Sequence, residues 1–526
     1  MIVDLFKKQS ANLKNDTLSG LTVALALVPE AIAFSFIAGV DPLVGLWAAV
    51  FMGFITAAFG GRPGMISGAT GAIAVVAGKA VEYGDNLGEG LGLQYLFAVI
   101  MLAGVIQILF GALKLGRFIR LVPHPVMIGF VNGLAIVILM AQFPSFRDPS
   151  TGEWLQGSAL AIFVGLIVLT MLIIQFFPKV TKSVPSILIS IISVGLLAFF
   201  LFKDTPTVSN VLAQAKGNPD GILKGTFPYP HWPSSVDWLG DWKFLLKTAF
   251  IVAMVGIIES LMTLQLIDEI TETRGQGNRE CAAQGSANFL SGLFGGMGGC
   301  AMIGQSLINI KSGGRGRASG IVAALALTIF IVIGGPVIQQ IPIAALVGVM
   351  FMVVIGTFEW SSLRTFGRVP LSDIIVILSV TLVTIIMHDL ATAVFVGIIV
   401  SALVFAWESS RHVHIRVESE TEDERIYSLD GLLYFGSVRE FSDHFQARSD
   451  CQSIVIDFAR ARVCDLSGIE AINALTERYR KAGKKLRLRH LSKDCLRMLN
   501  RADALIDIEV ADDDPEYLVA RISPRS

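Results

Sequence analysis

Long apolar runs fill the first four hundred residues, and each is separated from the next by a short polar or glycine-containing break. Runs that suit helices fall at about 17–38, 42–59, 64–80, 93–113, 125–143, 158–177, 184–202, 245–267, 280–294, 301–312, 318–338, 342–357, 371–387 and 389–408. Several exceed the roughly 20 residues that cross a bilayer, whereas those near 64, 280 and 301 are short or interrupted by glycine. The pattern predicts about fourteen membrane segments, seven plus seven. An odd number in each half makes the second half inverted relative to the first.

After residue 410 the period changes. HVHIRV alternates as a strand and SIVIDF reads as a short buried strand. IEAINALTERYRKAG reads as an amphipathic helix closed by Gly483, followed by the strand KLRLRHL and a helix over SKDCLRMLNRA. Strands alternating with helices predict a small α/β domain. The expected organisation is a lead-in over 1–16, a transmembrane domain over 17–410 with repeats at about 17–202 and 245–408, and a C-terminal domain over 411–526.

Two glycine-rich interruptions organise the membrane part. Between Gly292 and Gly314, glycines stand at 292, 295, 296, 298, 299 and 304, and again at 313 and 314. Gly60–Gly71 reads GGRPGMISGATG, and each stretch opens on a Gly-Gly pair. Upstream of each lies an apolar helix carrying one carboxylate, Glu30 and Glu259. So many residues without side chains predict backbone brought close to something, or a helix that begins in mid-membrane. Such a helix aims unpaired N–H groups and a positive dipole end at the protein interior, which holds a small anion without a buried cation. A pair of these segments in corresponding halves points to a secondary transporter.

Charge supports the division. Only 16% of the chain is charged, and 40 of those charges fall in the last 116 residues. With the N-terminus in the cytoplasm, the loops expected there carry Lys114, Arg117, Arg120, Lys179, Lys182, Arg274, Arg279, Lys311, Arg315, Arg317, Arg364, Arg368 and Arg411. Both termini and the tail domain are therefore expected inside, the lead-in being cytoplasmic and not a cleaved signal. A net charge of −1 gives no basic surface for nucleic acid, and the five cysteines show no metal spacing and read as reduced small residues. No GxxxxGKS, HExxH or GxSxG motif occurs, so no enzyme is expected.

PEAIAFSFIAGVDPLVGLW, GGRPGMISGATGA, GNRECAAQGSANFLSGLFGG and NIKSGGRGRASG resemble, in that order, the sulfate permease (SulP) anion transporters, and SIVIDF with VCDLSGIEAI resembles their STAS domain. The resemblance spans almost the whole chain. It implies fourteen segments in two inverted repeats, a core domain moving against a gate domain, a homodimer in a bacterial inner membrane, and transport of sulfate, bicarbonate, chloride, oxalate or dicarboxylates. It implies an anion held between the two broken helices, by Ser67, Gly68, Ala69 and Thr70 on the first and Ala301, Met302, Ile303, Gly304 and Gln305 on the second. Many eukaryotic members carry an arginine where this chain has Gln305. Some bicarbonate members bind Na⁺ through a carboxylate and a threonine four residues later. Glu259 and Thr263 have that spacing, but with Glu in place of the Asp, so the expected coupling ion is either Na⁺ at Glu259, Thr263 and Gly304 or H⁺ on Glu259, with no other cofactor.

Each residue also has a plainer reading. Glu259 could be a packing carboxyl, yet a charge at the bilayer centre costs about 2.5–3.5 kcal/mol on insertion scales, which favours a functional role. Glu30 follows Pro29 and could accept from backbone freed by the kink, or belong to the coupling site. Ser67 and Thr70 could bond their own backbone. Gln305 could pack or line the site; Asn132 and Gln142 read as interhelical hydrogen-bond partners. His388 and Asp389 fall at an external turn and read as solvated. In the tail, Ser467 aligns with the phosphoserine of anti-sigma-antagonist STAS domains, while Asp465 and Ser467 also suit a cap for a helix from Ile469; a protein partner would dock at this face. The expected function is ion-coupled transport of bicarbonate or sulfate. The alternatives are an anion sensor signalling through its STAS tail, a dicarboxylate or chloride exchanger, and a channel.

Overall fold

A computed structural model describes residues 12–116, 122–148, 152–180, 186–202, 204–214, 226–364, 367–387, 390–410, 413–421, 423–492, 495 and 509–510. His388, Asp389, Arg117, Arg120, Lys182, Arg411 and most of the helix expected over SKDCLRMLNRA lie outside the described residues. The chain forms two compact units, residues 1–398 and 399–526.

The first half of the membrane part runs α1 (Leu13–Ala38), α2 (Pro42–Phe59), β1 (Ser67–Gly68), α3 (Gly71–Leu87), α4 (Leu91–Ala112), α5 (His124–Met140), α6 (Gly157–Phe176) and α7 (Ser186–Leu201). A short α8 (Val208–Gln214) follows. The second half repeats the order: α9 (Trp242–Thr271), α10 (Gly277–Leu293), β2 (Cys300–Ala301), α11 (Ile303–Lys311), α12 (Arg317–Ile338), α13 (Ile343–Thr357), the one-turn α14 (Ser361–Arg364), α15 (Leu371–Met387) and α16 (Leu390–Ser410). Among the described residues, eight helices are long and apolar enough to cross a membrane, and three shorter apolar ones accompany them.

Packing follows the repeat. The fourth helix of each half sits on the first two of the other: α4 on α9 and α10, α12 on α1 and α2. The α4–α10 approach is backbone to backbone, since a Cβ on Gly104 would lie 2.5 Å from Phe289 N and one on Gly285 2.5 Å from Gly104 O. A second group packs α5 against α13 and α15, and α6 against α7 and α13. The two groups are the core and gate of a two-part membrane domain.

Three expected boundaries move. The expected helices over 64–80 and 301–312 turn helical only at Gly71 and Ile303, each after a two-residue strand, Ser67–Gly68 and Cys300–Ala301. α1 begins at Leu13, four residues before the apolar run, because the carboxylate of Asp16 is buried as an acceptor for Arg315 N (2.8 Å) and Gly316 N (3.1 Å) at the start of α12. Gln142 bonds Ile138 O on its own chain turn, whereas Asn132 does join elements, donating to Ser362 Oγ (2.9 Å) and accepting from Glu359 N (2.8 Å).

In the second unit, β3 (His414–Glu420), β4 (Glu424–Leu433), β5 (Ser453–Val463), β6 (Lys485–Arg489) and β7 (Glu509–Val510) form one sheet in that order. The β3–β4 pair is antiparallel and the others parallel. α17 (Val438–His444) and α18 (Leu466–Lys481) complete the described part, over a core that includes Phe441, Phe458, Ile472 and Tyr479. α18 starts at Leu466, three residues earlier than expected, because Asp465 is its N-cap and accepts from Gly468 N at 2.9 Å. The same carboxylate accepts from Phe435 N at 2.9 Å, and Ser467 is half-buried in the first turn.

Candidate functional site

The two broken segments meet in mid-protein. β1 and β2 pair antiparallel, Ser67 opposite Ala301 and Gly68 opposite Cys300. Extended backbone is tolerated at this depth because the pair is buried in protein and its polar groups are used. Met302 N donates to Ile66 O (2.9 Å), Ala301 N to Ser260 Oγ (3.1 Å), and Ile66 N to Ser306 Oγ (3.0 Å). Asn288 of α10 accepts from Gly299 N (2.8 Å) and donates to Gly299 O (3.0 Å) and to Gln107 of α4.

From this crossing the chain turns into α3 and α11, so two helix N-termini converge. Neither is capped by a side chain: Thr70 and Met302 occupy the N-cap positions without a side-chain hydrogen bond to their own helix. The first-turn N–H groups of both helices therefore remain available, each at the positive end of a helix dipole.

A cavity of about 610 Å³ lies in front of them. Its core wall carries Glu30, Thr70, Gly71, Glu259, Met302, Ile303, Gly304 and Gln305, and its gate wall carries Met127, Val131 and Val353 with His124, Thr357 and Glu359 toward one end. Its floor follows α9 from Glu259 through Met262, Gln265 and Leu266 to the exposed Glu269. Among the described residues, no lysine or arginine lines this cavity. An anion here would be held by backbone N–H groups and helix dipoles, with neutral side chains as further donors.

The sequence-predicted residues divide into two sets. Glu30, Thr70, Glu259, Met302, Ile303, Gly304 and Gln305 line the one cavity. Ser67, Gly68, Ala69, Ala301 and Thr263 are packed behind its wall. Ser67 Oγ accepts from Gln284 Nε2 (2.7 Å), and Thr263 donates to Glu259 O (2.8 Å) and faces Ala301 O at 3.5 Å. The buried Glu30 receives a hydrogen bond from Gln305 Nε2 across the two halves, and Glu259 Oε2 receives one from Cys300 Sγ at 2.8 Å. Among the described residues there is no group of three or more His, Cys, Asp or Glu side chains that could hold a metal ion.

Sequence reasoning passed over Cys300, His124 and Glu359. Cys300 stands next to the predicted Ala301–Gln305 run, and the strand register that aims its sulfur at Glu259 has no sequence signal. His124 and Glu359 come from helix ends that lie far apart in the sequence.

The pattern of the Sulfate permease family matches residues 13–380, and that of the STAS domain residues 415–513. The putative sulfate transporter YbaR of Bacillus subtilis is 42% identical over 484 residues, 92% of this chain and 95% of that protein. The bicarbonate transporter BicA of Picosynechococcus is 30% identical over 484 residues, 85% of this chain and 83% of that one. The murine Slc26a9 anion transporter, solved in an inward-facing state, shares the fold: TM-score 0.79 over 95% of this chain and 89% of that chain, at 18% identity. With one family pattern covering most of the membrane part and a second covering the tail, the chain belongs to the sulfate permease family and carries a C-terminal STAS domain.

Proposed function

We propose that the chain is a secondary active transporter of a small oxyanion, bicarbonate or sulfate, working by alternating access between core and gate and coupled to Na⁺ or H⁺ through Glu259, with Glu30 as a second carboxylate of the coupling site. The observation that carries this reading is the convergence of two uncapped helix N-termini and two carboxylates on one cavity. An anion placed about 4 Å from an ionised carboxylate meets roughly 4 kcal/mol of repulsion at an effective dielectric constant of about 20. Occupancy is therefore favoured when a proton or a sodium ion neutralises Glu259. That linkage makes cation and anion bind together, which is the thermodynamic content of symport.

The similarity to YbaR and BicA supports sulfate and bicarbonate as the substrate class. Gln305 supplies no fixed cation for a dianion, which tilts the reading toward bicarbonate. The cavity floor descends α9 toward the end that the basic loops assign to the cytoplasm, so the conformation is read as inward-facing, in a bacterial inner membrane with both termini inside. A homodimer and a protein partner at the Asp465–Ser467 face of the STAS domain complete the proposal.

Purified protein in liposomes tests it. Labelled bicarbonate and labelled sulfate are offered in parallel, with and without an inward Na⁺ gradient, and with a pH gradient. Bicarbonate uptake that requires Na⁺ makes Glu259 part of a sodium site; sulfate uptake driven by pH makes it a proton carrier. Absence of uptake of either anion overturns the proposal.

A further inference from the structure

Cys300 is wholly buried behind the cavity wall, and its sulfur touches two residues of that wall. It donates to Glu259 Oε2 at 2.8 Å and lies 3.1 Å from Thr70 Oγ1. The strand register holds it there, because Cys300 is opposite Gly68, two residues before Thr70. Thr70 is the N-cap of α3, yet its hydroxyl makes no bond to its own helix; its hydrogen-bond partner is the Cys300 sulfur.

We propose that Cys300 is a positioning residue that relays the charge state of Glu259 to the hydroxyl of the cavity-lining Thr70. A thiol has one proton to donate, and its sulfur also accepts. While Glu259 is an unneutralised carboxylate, that proton points at Oε2, and the Thr70 O–H is left to donate to the sulfur. Thr70 then turns only lone pairs toward the cavity and disfavours an anion at the start of α3. When a proton or a sodium ion occupies Glu259, the thiol proton is released to rotate onto Thr70 Oγ1. The Thr70 O–H is freed to donate to the anion. No covalent bond changes and no proton leaves the sulfur; only the direction of two hydrogen bonds reverses.

This rests on the coupling role proposed for Glu259 and adds the device by which a cation at that residue changes anion affinity. The other titratable groups on the cavity wall are Glu30 from α1, His124 from α5, Glu269 at the end of α9 and Glu359 after α13. Among the described residues none of them shares a hydrogen bond with Cys300.

The test is the half-saturation concentration for labelled sulfate uptake, measured at acid and alkaline pH and with and without Na⁺ in full-length protein. Labelled bicarbonate is used for the Na⁺ arm only, since its own charge changes with pH. The wild type should bind the anion about tenfold more tightly in the cation-loaded condition, the size of one hydrogen bond to a charged group. Cys300→Ala should shrink that ratio to about twofold or less, because Thr70 is then free to donate in both conditions. Cys300→Ser keeps a donor and an acceptor and should retain most of the ratio. Thr70→Val should weaken binding in the loaded condition and also flatten the ratio, so the proposal stays testable should Cys300→Ala fold poorly. A wild-type ratio in Cys300→Ala or in Thr70→Val overturns the relay alone. A wild type indifferent to both cations overturns the coupling reading, and the relay with it.

Discussion

A Cβ on Gly299 would sit 1.9 Å from the carbonyl oxygen of Gly68. The two broken segments cross at that point, and no side chain fits between them. Five residues on, a Cβ on Gly304 would meet nothing within 4 Å, because it would project into the cavity. Two glycines of one short segment therefore have opposite reasons to be glycine.

They should respond oppositely to the same substitution. Gly299→Ala forces backbone apart in a fully packed interior, where overpacking costs about 1–3 kcal/mol or more. It should lower the yield of monodisperse protein sharply in size-exclusion chromatography. Gly304→Ala should leave that profile unchanged and raise the half-saturation constant for anion uptake about tenfold, since a methyl group then occupies the space in front of the α11 N–H groups. Normal folding of Gly299→Ala would remove the steric account of the crossing.

The C-terminal turn of α2 supplies a second prediction. Arg317 donates to the carbonyl oxygens of Ala57 (2.8 Å), Ala58 (3.1 Å) and Gly60 (2.7 Å), and Arg279 donates to that of Phe59 (2.8 Å). Two arginines from the second half thus satisfy the orphan carbonyls of a helix in the first, where a cation also suits the negative dipole end. Arg317→Ala should destabilise the membrane part by about 3 kcal/mol, from lost charge-assisted hydrogen bonds at a buried site. A thermal scan should show a lower midpoint, with Arg317→Lys falling between the two. An unchanged midpoint in Arg317→Ala would mean that water takes over those carbonyls.

Much of this was legible in the residues. The apolar runs, the glycine breaks and the switch of period after 410 mark the elements, because burial in lipid and the two helix and strand periods leave direct traces in sequence. Glu30 and Glu259 stood out as carboxylates in apolar surroundings. What the chain does not write locally is register. Whether Ser67 or Thr70 faces the cavity depends on which residue of β1 opposes which of β2, and that pairing spans more than half of the membrane part. The start of α1 was hidden for a similar reason, since Asp16 is buried by a partner near residue 315. The gate wall, with His124 and Glu359, arises only when helices distant in sequence pack together.

The STAS domain gives a pH prediction. Burial of Asp457 opposes its charge, but hydrogen bonds from Ala459 N (2.8 Å), Arg489 Nε (2.7 Å) and His490 Nδ1 (3.0 Å) outweigh it and hold the carboxyl below the ordinary aspartate value. A carboxyl lowered in the folded state contributes stability that is complete above its unfolded value and is lost as pH falls through the folded one. Asp457→Asn should therefore destabilise the domain by about 1.5–3 kcal/mol near neutrality, and the difference from wild type should shrink on acidification. Hydrogen exchange of the β5 and β6 amides in the full chain, followed from neutral to acid pH, reads this out. A gap between variant and wild type that widens toward acid would reverse the assignment.

The final prediction separates the two carboxylates of the cavity. Glu259 is half-buried and bonded by the thiol of Cys300, whereas Glu30 is buried and bonded by the amide of Gln305 from the other half. Glu259→Gln keeps shape and hydrogen bonding but can take neither a proton nor a charge-balancing sodium ion. It should abolish concentrative uptake driven by the cation gradient, by an estimated factor of a hundred or more, about 2.8 kcal/mol of coupling. Anion-for-anion exchange down its own gradient should continue, because the helix N-termini are untouched and the repulsive charge is gone. Glu30→Gln leaves Glu259 in place and should lower gradient-driven uptake less than Glu259→Gln does. Counterflow and gradient-driven uptake are measured on the same vesicles. Concentrative uptake at the wild-type rate in Glu259→Gln would take the coupling role away from that residue, and loss confined to Glu30→Gln would hand it to the first half of the molecule.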